Sequence, residues 1–129
     1  MFKQLVVALL ASSAALASPV PATEVKVEKR SSSGLATYFE VGLGACGWTN
    51  ANEDLIVAIN SDQYDNGDHC GKWLTIKNKA NGKTVEAYAA DECPSCDWGS
   101  LDLSPQVFGK LTDWDYDEGE FDITWWWND

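Results

Sequence analysis

Five apolar residues in succession, Leu55-Ile56-Val57-Ala58-Ile59, stand between Asn and Asp residues, the pattern of a strand buried on both faces. Leu35-Ala36-Thr37-Tyr38-Phe39 is rich in strand formers and gives way to Gly42, Gly44 and Gly47, which is loop chemistry. Trp73-Leu74-Thr75-Ile76-Lys77 and Thr84-Val85-Glu86-Ala87-Tyr88 flank Asn81-Gly82. That arrangement predicts a β-hairpin, with Asn-Gly tolerating the positive φ angles of a type I′ turn. The period changes at Ser104-Pro105, after which Val107, Phe108 and Leu111 recur at helical spacing. Ser104 is placed to cap the free amides of a short helix and Pro105 fits its first position. In Phe121-Asp122-Ile123-Thr124-Trp125-Trp126-Trp127, a final strand, Phe121, Ile123, Trp125 and Trp127 share one face and Trp126 points away. The pattern as a whole is a small, mostly β barrel or sandwich without internal repeats.

A chain of 129 residues holds one compact domain. Its 7 Trp are more than so small a core can hide, so some should be exposed. Trp125 and Trp127, sharing a face with Ile123, are expected at or near the core. Trp126, Trp98 beside Gly99, and Trp48 in the Gly-rich loop are the candidates for stacking on sugar rings, and Trp73 fits either role. The 20 acidic residues outnumber the 9 basic ones and give a formal charge of −11. Nucleic acid and acidic polysaccharides are excluded as partners by that balance, since they need a basic footprint. Neutral polysaccharides and cationic partners, chitosan or a basic protein, remain open.

Residues 1–17 carry Lys3, an apolar run from Leu5 to Ala11 and the small-residue ending Ala15-Leu16-Ala17, the form of a secretory signal peptide too short to span a membrane. The stretch 18–30 closes on the dibasic pair Lys29-Arg30, read as a propeptide or linker with a processing site, and residues 31–129 form the working domain. That domain keeps 5 basic and 18 acidic residues, a charge near −13. A secreted, extracellular monomer without membrane anchorage or cofactor is expected. Cys46, Cys70, Cys93 and Cys96 are an even set in a small secreted domain, which argues for two disulfides, with three connectivities open. A redox role for Cys93-Pro94-Ser95-Cys96 lacks the helix that should follow it, and a zinc site using His69 and Cys70 lacks ordinary ligand spacing, so no metal is expected.

Five stretches in order, Ala36-Thr37-Tyr38-Phe39, Gly44-Ala45-Cys46-Gly47, His69-Cys70-Gly71, Ala90-Asp91-Glu92-Cys93-Pro94-Ser95-Cys96 and Leu101-Asp102-Leu103-Ser104-Pro105, resemble the family of rare-lipoprotein-A-like domains, expansins and barwin-type proteins, most closely its small secreted fungal loosenin-like members. The resemblance implies a six-stranded double-psi β-barrel with one or two short helices, stapled by Cys46–Cys70 and Cys93–Cys96. It also implies an open groove containing Asp102, matching the general acid of the related inverting endoglucanases. Thr37, Tyr38 and Asp91 join it as substrate-binding positions, and Glu40 falls roughly where those endoglucanases place the base. Inversion needs the two carboxylates about 6.5–9.5 Å apart. Expansins lack the base and loosen polysaccharide packing without hydrolysis. Where they carry a groove Tyr, this chain has Cys93.

Structural roles compete with these. Asp102 stands two residues before Ser104 and could support the turn into the helix, and Asp91 could satisfy loop amides near the Cys93 to Cys96 turn. Three functions follow: a cell-wall protein binding, and possibly loosening, β-glucan or chitin; an inhibitor of papain-like proteases or a secreted effector, with Asp113 to Glu120 as the long acidic loop to fit a cleft; and a weak inverting hydrolase using Asp102 and Glu40.

Overall fold

The computed structural model describes residues 30–129, so the signal-peptide and propeptide expectations lie outside the described residues. Six strands, β1 (Ser32–Tyr38), β2 (Ile56–Asn60), β3 (Trp73–Asn78), β4 (Thr84–Cys93), β5 (Leu101–Leu103) and β6 (Phe121–Trp127), close into a barrel in the order β1-β5-β2-β4-β3-β6. Two pairings are parallel, β1 with β5 and β2 with β4, and the other four are antiparallel. This is the mixed six-stranded barrel that the resemblance implies. Both disulfides are present as it implies, Cys46–Cys70 and Cys93–Cys96, which leaves Cys70 no thiolate for zinc.

β2 is buried at all five positions because β4 and β5 flank it and chain covers both of its faces. The barrel interior is filled by Val57, Ile59, Leu74, Ile76, Leu101 and Trp125, with Phe108 closing on them from outside the sheet. Trp125 also satisfies its indole N–H, donating to the Gly99 carbonyl at 2.9 Å. Trp127 packs edge-on against Trp125 and flat against His69, near the core as the alternation predicts.

The helix after Ser104 forms as expected. In α2 (Pro105–Thr112), Ser104 Oγ accepts from the Val107 amide and Val107, Phe108 and Leu111 are buried. A one-turn helix, α1 (Ser61–Tyr64), precedes it in the chain. Asn60 and Gln63 bracket α1, the Asn60 side chain accepting from the Gln63 amide while its own amide donates to Gln63 Oε1. Four residues are too few for helical periodicity, so only that capping pair was there to be read.

The hairpin β3–β4 is present, but its turn is not type I′. Only Gly82 takes positive φ, and the loop runs from Asn78 to Lys83, closed by Asn78 N–H to Lys83 O at 2.9 Å. Asn81 serves elsewhere: its side-chain amide donates to the Leu111 carbonyl at 3.0 Å, beside a 2.9 Å bond from Asn78 to the same atom. The hairpin tip thereby satisfies an orphan carbonyl at the end of α2.

Between β1 and β2 the chain forms a strap over the outer face of the barrel. A small hairpin from Gly42 to Asn50 is held by Gly44 N–H to Trp48 O and Asn50 N–H to Gly42 O, both 2.9 Å. Gly44 rests on β4 so closely that a Cβ there would lie 2.4 Å from the Ala90 carbonyl oxygen. Among the described residues no helix is long and apolar enough to cross a membrane, and no group of three or more His, Cys, Asp or Glu could hold a metal ion.

Candidate functional site

Strand register builds one polar row across four strands. Thr37 on β1 stands beside Asp102 on β5, Asp102 beside Ala58 on β2, and Ala58 beside Asp91 on β4. Their inward neighbours Ala36, Leu101 and Leu103 are core residues, so Thr37 and Asp102 face outward. Asp91 joins them through an irregularity. Ala87 and Ala89 point into the core, and unbroken alternation would send Asp91 after them. The β2–β4 register shifts between Val57 and Ala58, Ala90 being the extra residue, and this turns Asp91 outward.

Thr37 and Asp102 line a depression of about 190 Å³ together with Leu35, Cys93, Asp97 and Glu120, among others; Asp91, expected in the groove, does not line it. Burial raises the pKa of Asp102 above the usual carboxylate value; the Thr37 hydroxyl, donating to Oδ1 at 2.9 Å, pulls it back, and the negative charge of Asp91 raises it further. A half-buried carboxyl with a raised pKa is better suited than an exposed one to donate a proton to a hydroxyl or a leaving oxygen. Asp91 is partly committed, because its Oδ1 accepts from the amides of Ala45 at 2.7 Å and Glu92 at 2.8 Å. Asp91 thus satisfies backbone amides, but those of the strap and of its own neighbour and not those of the Cys93 to Cys96 turn, and it pins the strap to β4. Among the described residues the one ion pair, Lys83 with Asp113 at 3.2 Å, involves neither aspartate of the row. The row therefore presents uncompensated negative charge.

A second, more open depression of about 470 Å³ is lined by Trp48, Asn50, Gly71, Trp73 and Tyr88. Tyr88 lies between the two indoles, its ring 6.2 Å from that of Trp48 and 5.2 Å from that of Trp73. Trp48 and Trp73 are 44% and 45% exposed, so both offer ring faces to solvent. Trp48 is thus exposed as the sequence suggests, and Trp73 resolves to the surface.

Other expected site residues lie elsewhere. Tyr38 follows Thr37 on β1 and therefore points to the other side, where it packs against Phe108 at 4.5 Å and Tyr116 at 5.2 Å; it does not line the aspartate depression. Glu40 is exposed beyond β1 and is likewise not among the lining residues, whereas Asp97 and Glu120 are. Trp98 is exposed in the turn that supplies Asp97 and Ser100, without lining the depression itself. Trp126 does face away from the core, but it is half-buried opposite Thr75 on β3 and borders neither depression. Tyr88 and Asn50 went unnoticed in the sequence; the only signal was an aromatic at an outward position of a hairpin strand.

No family model matches the chain. A papain inhibitor of Streptomyces mobaraensis is 29% identical over 101 residues, covering 74% of this chain and 71% of the inhibitor. An EG45-like domain-containing protein of Arabidopsis thaliana is 32% identical over 88 residues, covering 60% of this chain and 70% of that protein. Among solved structures, a mutant Clavibacter michiganensis expansin in complex with cellohexaose superposes with a TM-score of 0.69 at 27% identity, over 78% of this chain and 51% of the expansin. The Streptomyces papain inhibitor does so with a TM-score of 0.65 at 30% identity, over 76% of this chain and 94% of the inhibitor. The chain spans about half the length of that expansin and 28% to 44% of three further curated relatives.

Proposed function

The chain belongs to the expansin and rare-lipoprotein-A-like double-psi β-barrel family, and on that premise we propose that it is a secreted cell-wall protein that binds a neutral β-linked polysaccharide, β-glucan or chitin, without cleaving it. The observation that carries this reading is the pair Thr37–Asp102, hydrogen-bonded side by side on β1 and β5 and lining an outward depression of the barrel. In this reading Thr37 and Asp102 exchange hydrogen bonds with sugar hydroxyls, and the negative field excludes acidic polymers while leaving chitosan as a ligand. Asp102 supplies the acid half of an inverting pair. Glu40, the base that the resemblance implies, lies outside the lining of the depression, and the reading assigns that role to no other residue. Secretion through residues 1–17 and release at Lys29-Arg30 belong to the same proposal.

Depletion of the protein over insoluble cellulose and chitin at two salt concentrations tests it. Saturable, salt-tolerant loss from solution, weakened in Asp102→Asn and without new reducing ends, supports the reading; no depletion on either polymer removes it.

A second reading, inhibition of a papain-like protease, draws on the solved inhibitor that this chain covers over 94% of its length. Its contact loop would be Asp113 to Glu120, where Asp113 and Trp114 both take positive φ. Titrating papain with the protein decides it, and full protease activity at micromolar protein removes it.

A further inference from the structure

We propose that the cleft formed by Trp48, Tyr88 and Trp73 is a second saccharide subsite, taking the apolar face of a β-linked pyranose, and that it is separate from the aspartate row. This deepens the polysaccharide reading above and rests on it. Buried aromatic rings need no further account, but here two indoles, each a little under half exposed, flank one phenol around an open depression of about 470 Å³. The rings are inclined to Tyr88, Trp48 at 75° and Trp73 at 54°, so they form the walls of a trough and not a flat patch. A pyranose ring offers axial C–H groups to such walls and hydroxyls at its edge, and aromatic residues with one polar handle meet both needs.

The polar handle is oriented. Asp54 Oδ2 accepts from Asn50 Nδ2 at 3.1 Å, and the same amide donates to the Tyr88 hydroxyl at 2.9 Å. Asp54 is itself held by the Ala51 amide at 2.9 Å. With the Tyr88 oxygen serving as acceptor toward Asn50, its own proton is left to be donated toward the cleft. A sugar hydroxyl is a fitting acceptor for it.

The trough is also held in shape before any ligand arrives. Cys46–Cys70 joins the strap to the segment before β3, and Trp48 and Gly71 lie just beyond the two cysteines. Gly71 has φ +83°, and a Cβ there would stand 3.3 Å from Trp48 Cη2. Any larger residue crowds the indole. Separation from the aspartate row has a physical cause as well: Ala90 lies between Tyr88 and Asp91 along β4, and the strap crosses there through the Cys46 N–H to Ala90 O bond at 3.2 Å. The cleft lining carries no charged side chain, which suits a neutral ring.

The experiment titrates cellohexaose and chitohexaose in separate arms into the full secreted protein, following affinity by calorimetry and the indole N–H signals by NMR. Trp48→Ala with Trp73→Ala is expected to weaken binding at least tenfold, and Tyr88→Phe, which keeps the ring, about fivefold with an unchanged melting temperature. The arm that saturates identifies the sugar. If the intact protein binds a hexaose and both the Trp pair variant and Tyr88→Phe bind it as tightly, this subsite is overturned while the aspartate row stands. If those variants lose binding and Asp102→Asn does not, the subsite stands and the row is overturned. Failure of the intact protein to bind either hexaose overturns both. Should the Trp pair variant fail to fold, Tyr88→Phe and the indole shifts of the intact protein decide the matter alone.

Discussion

The aspartate row and the aromatic cleft lie on either side of one strap, yet they are built by different means. The row comes from strand register: Thr37, Asp102 and Asp91 meet because β1, β5, β2 and β4 pair as they do and one bulged residue turns Asp91 outward. The cleft comes from a loop clamped onto the sheet, with Trp48 delivered by the strap and Tyr88 and Trp73 by paired strands. A register-built site shares the stability of the barrel, whereas a strap-built site opens when its clamp is lost. Perturbations of the clamp should therefore separate the two.

The largest separation is expected from replacing Cys46 and Cys70 together with Ala. Their separation of 24 residues makes the bridge worth about 3 kcal/mol in the chain-entropy account. Denaturant unfolding should show that loss, and hexaose binding through the aromatic cleft should fall while Asp102 titrates as before. Gly44→Ala comes next. Its Cβ would sit 2.4 Å from the Ala90 oxygen and 3.2 Å from the Asp91 Cβ, so the strap must lift. A loss of about 2 kcal/mol is expected, within the ordinary range for a steric clash. Because Asp91 loses its bond from Ala45, both sites should suffer, and retention of either at full affinity would break the link proposed between strap and sheet.

Asp102→Asn should act in the opposite direction. The folded pKa of Asp102 is raised, chiefly by burial, so the folded protein holds the proton more firmly than the unfolded chain does. Ionisation then costs stability as pH rises from the ordinary carboxylate range through the folded pKa. The Asn variant avoids this, so its melting temperature should exceed that of the parent at pH 7, and the gap should close below about pH 3.8. The smallest effect belongs to Thr37→Val, which removes the one hydrogen bond lowering that pKa. Following the Asp102 carboxyl by NMR should show a further upward shift, with aromatic-cleft binding untouched.

Local rules made several elements legible. Ser104 and Pro105 announced α2 because capping and the first helical position depend on neighbours in sequence. Parity placed Phe121, Ile123 and Trp125 inward on β6, and a run of five apolar residues declared β2 doubly covered. The same parity placed Trp126 outward, but could not say that it would be half-buried and border neither depression. Nor could Asn81-Gly82 reveal that Asn81 would be taken by the Leu111 carbonyl, which replaced the two-residue turn with a longer loop. Tyr38 went to the far side of β1 for a reason that the sequence did contain, since it alternates with Thr37.

By itself, then, the sequence determined five of the six strands, all but β5, the main helix and the excess of negative charge, and through its motifs the family, the barrel and the cysteine pairing. Tertiary structure alone decided which side chains meet. The extra residue at Ala90 sets the parity of Asp91 only relative to β2, a strand thirty residues away, and Trp48, Trp73 and Tyr88 converge only once the strap is clamped. Such contacts depend on register and closure between distant segments, which no local pattern encodes.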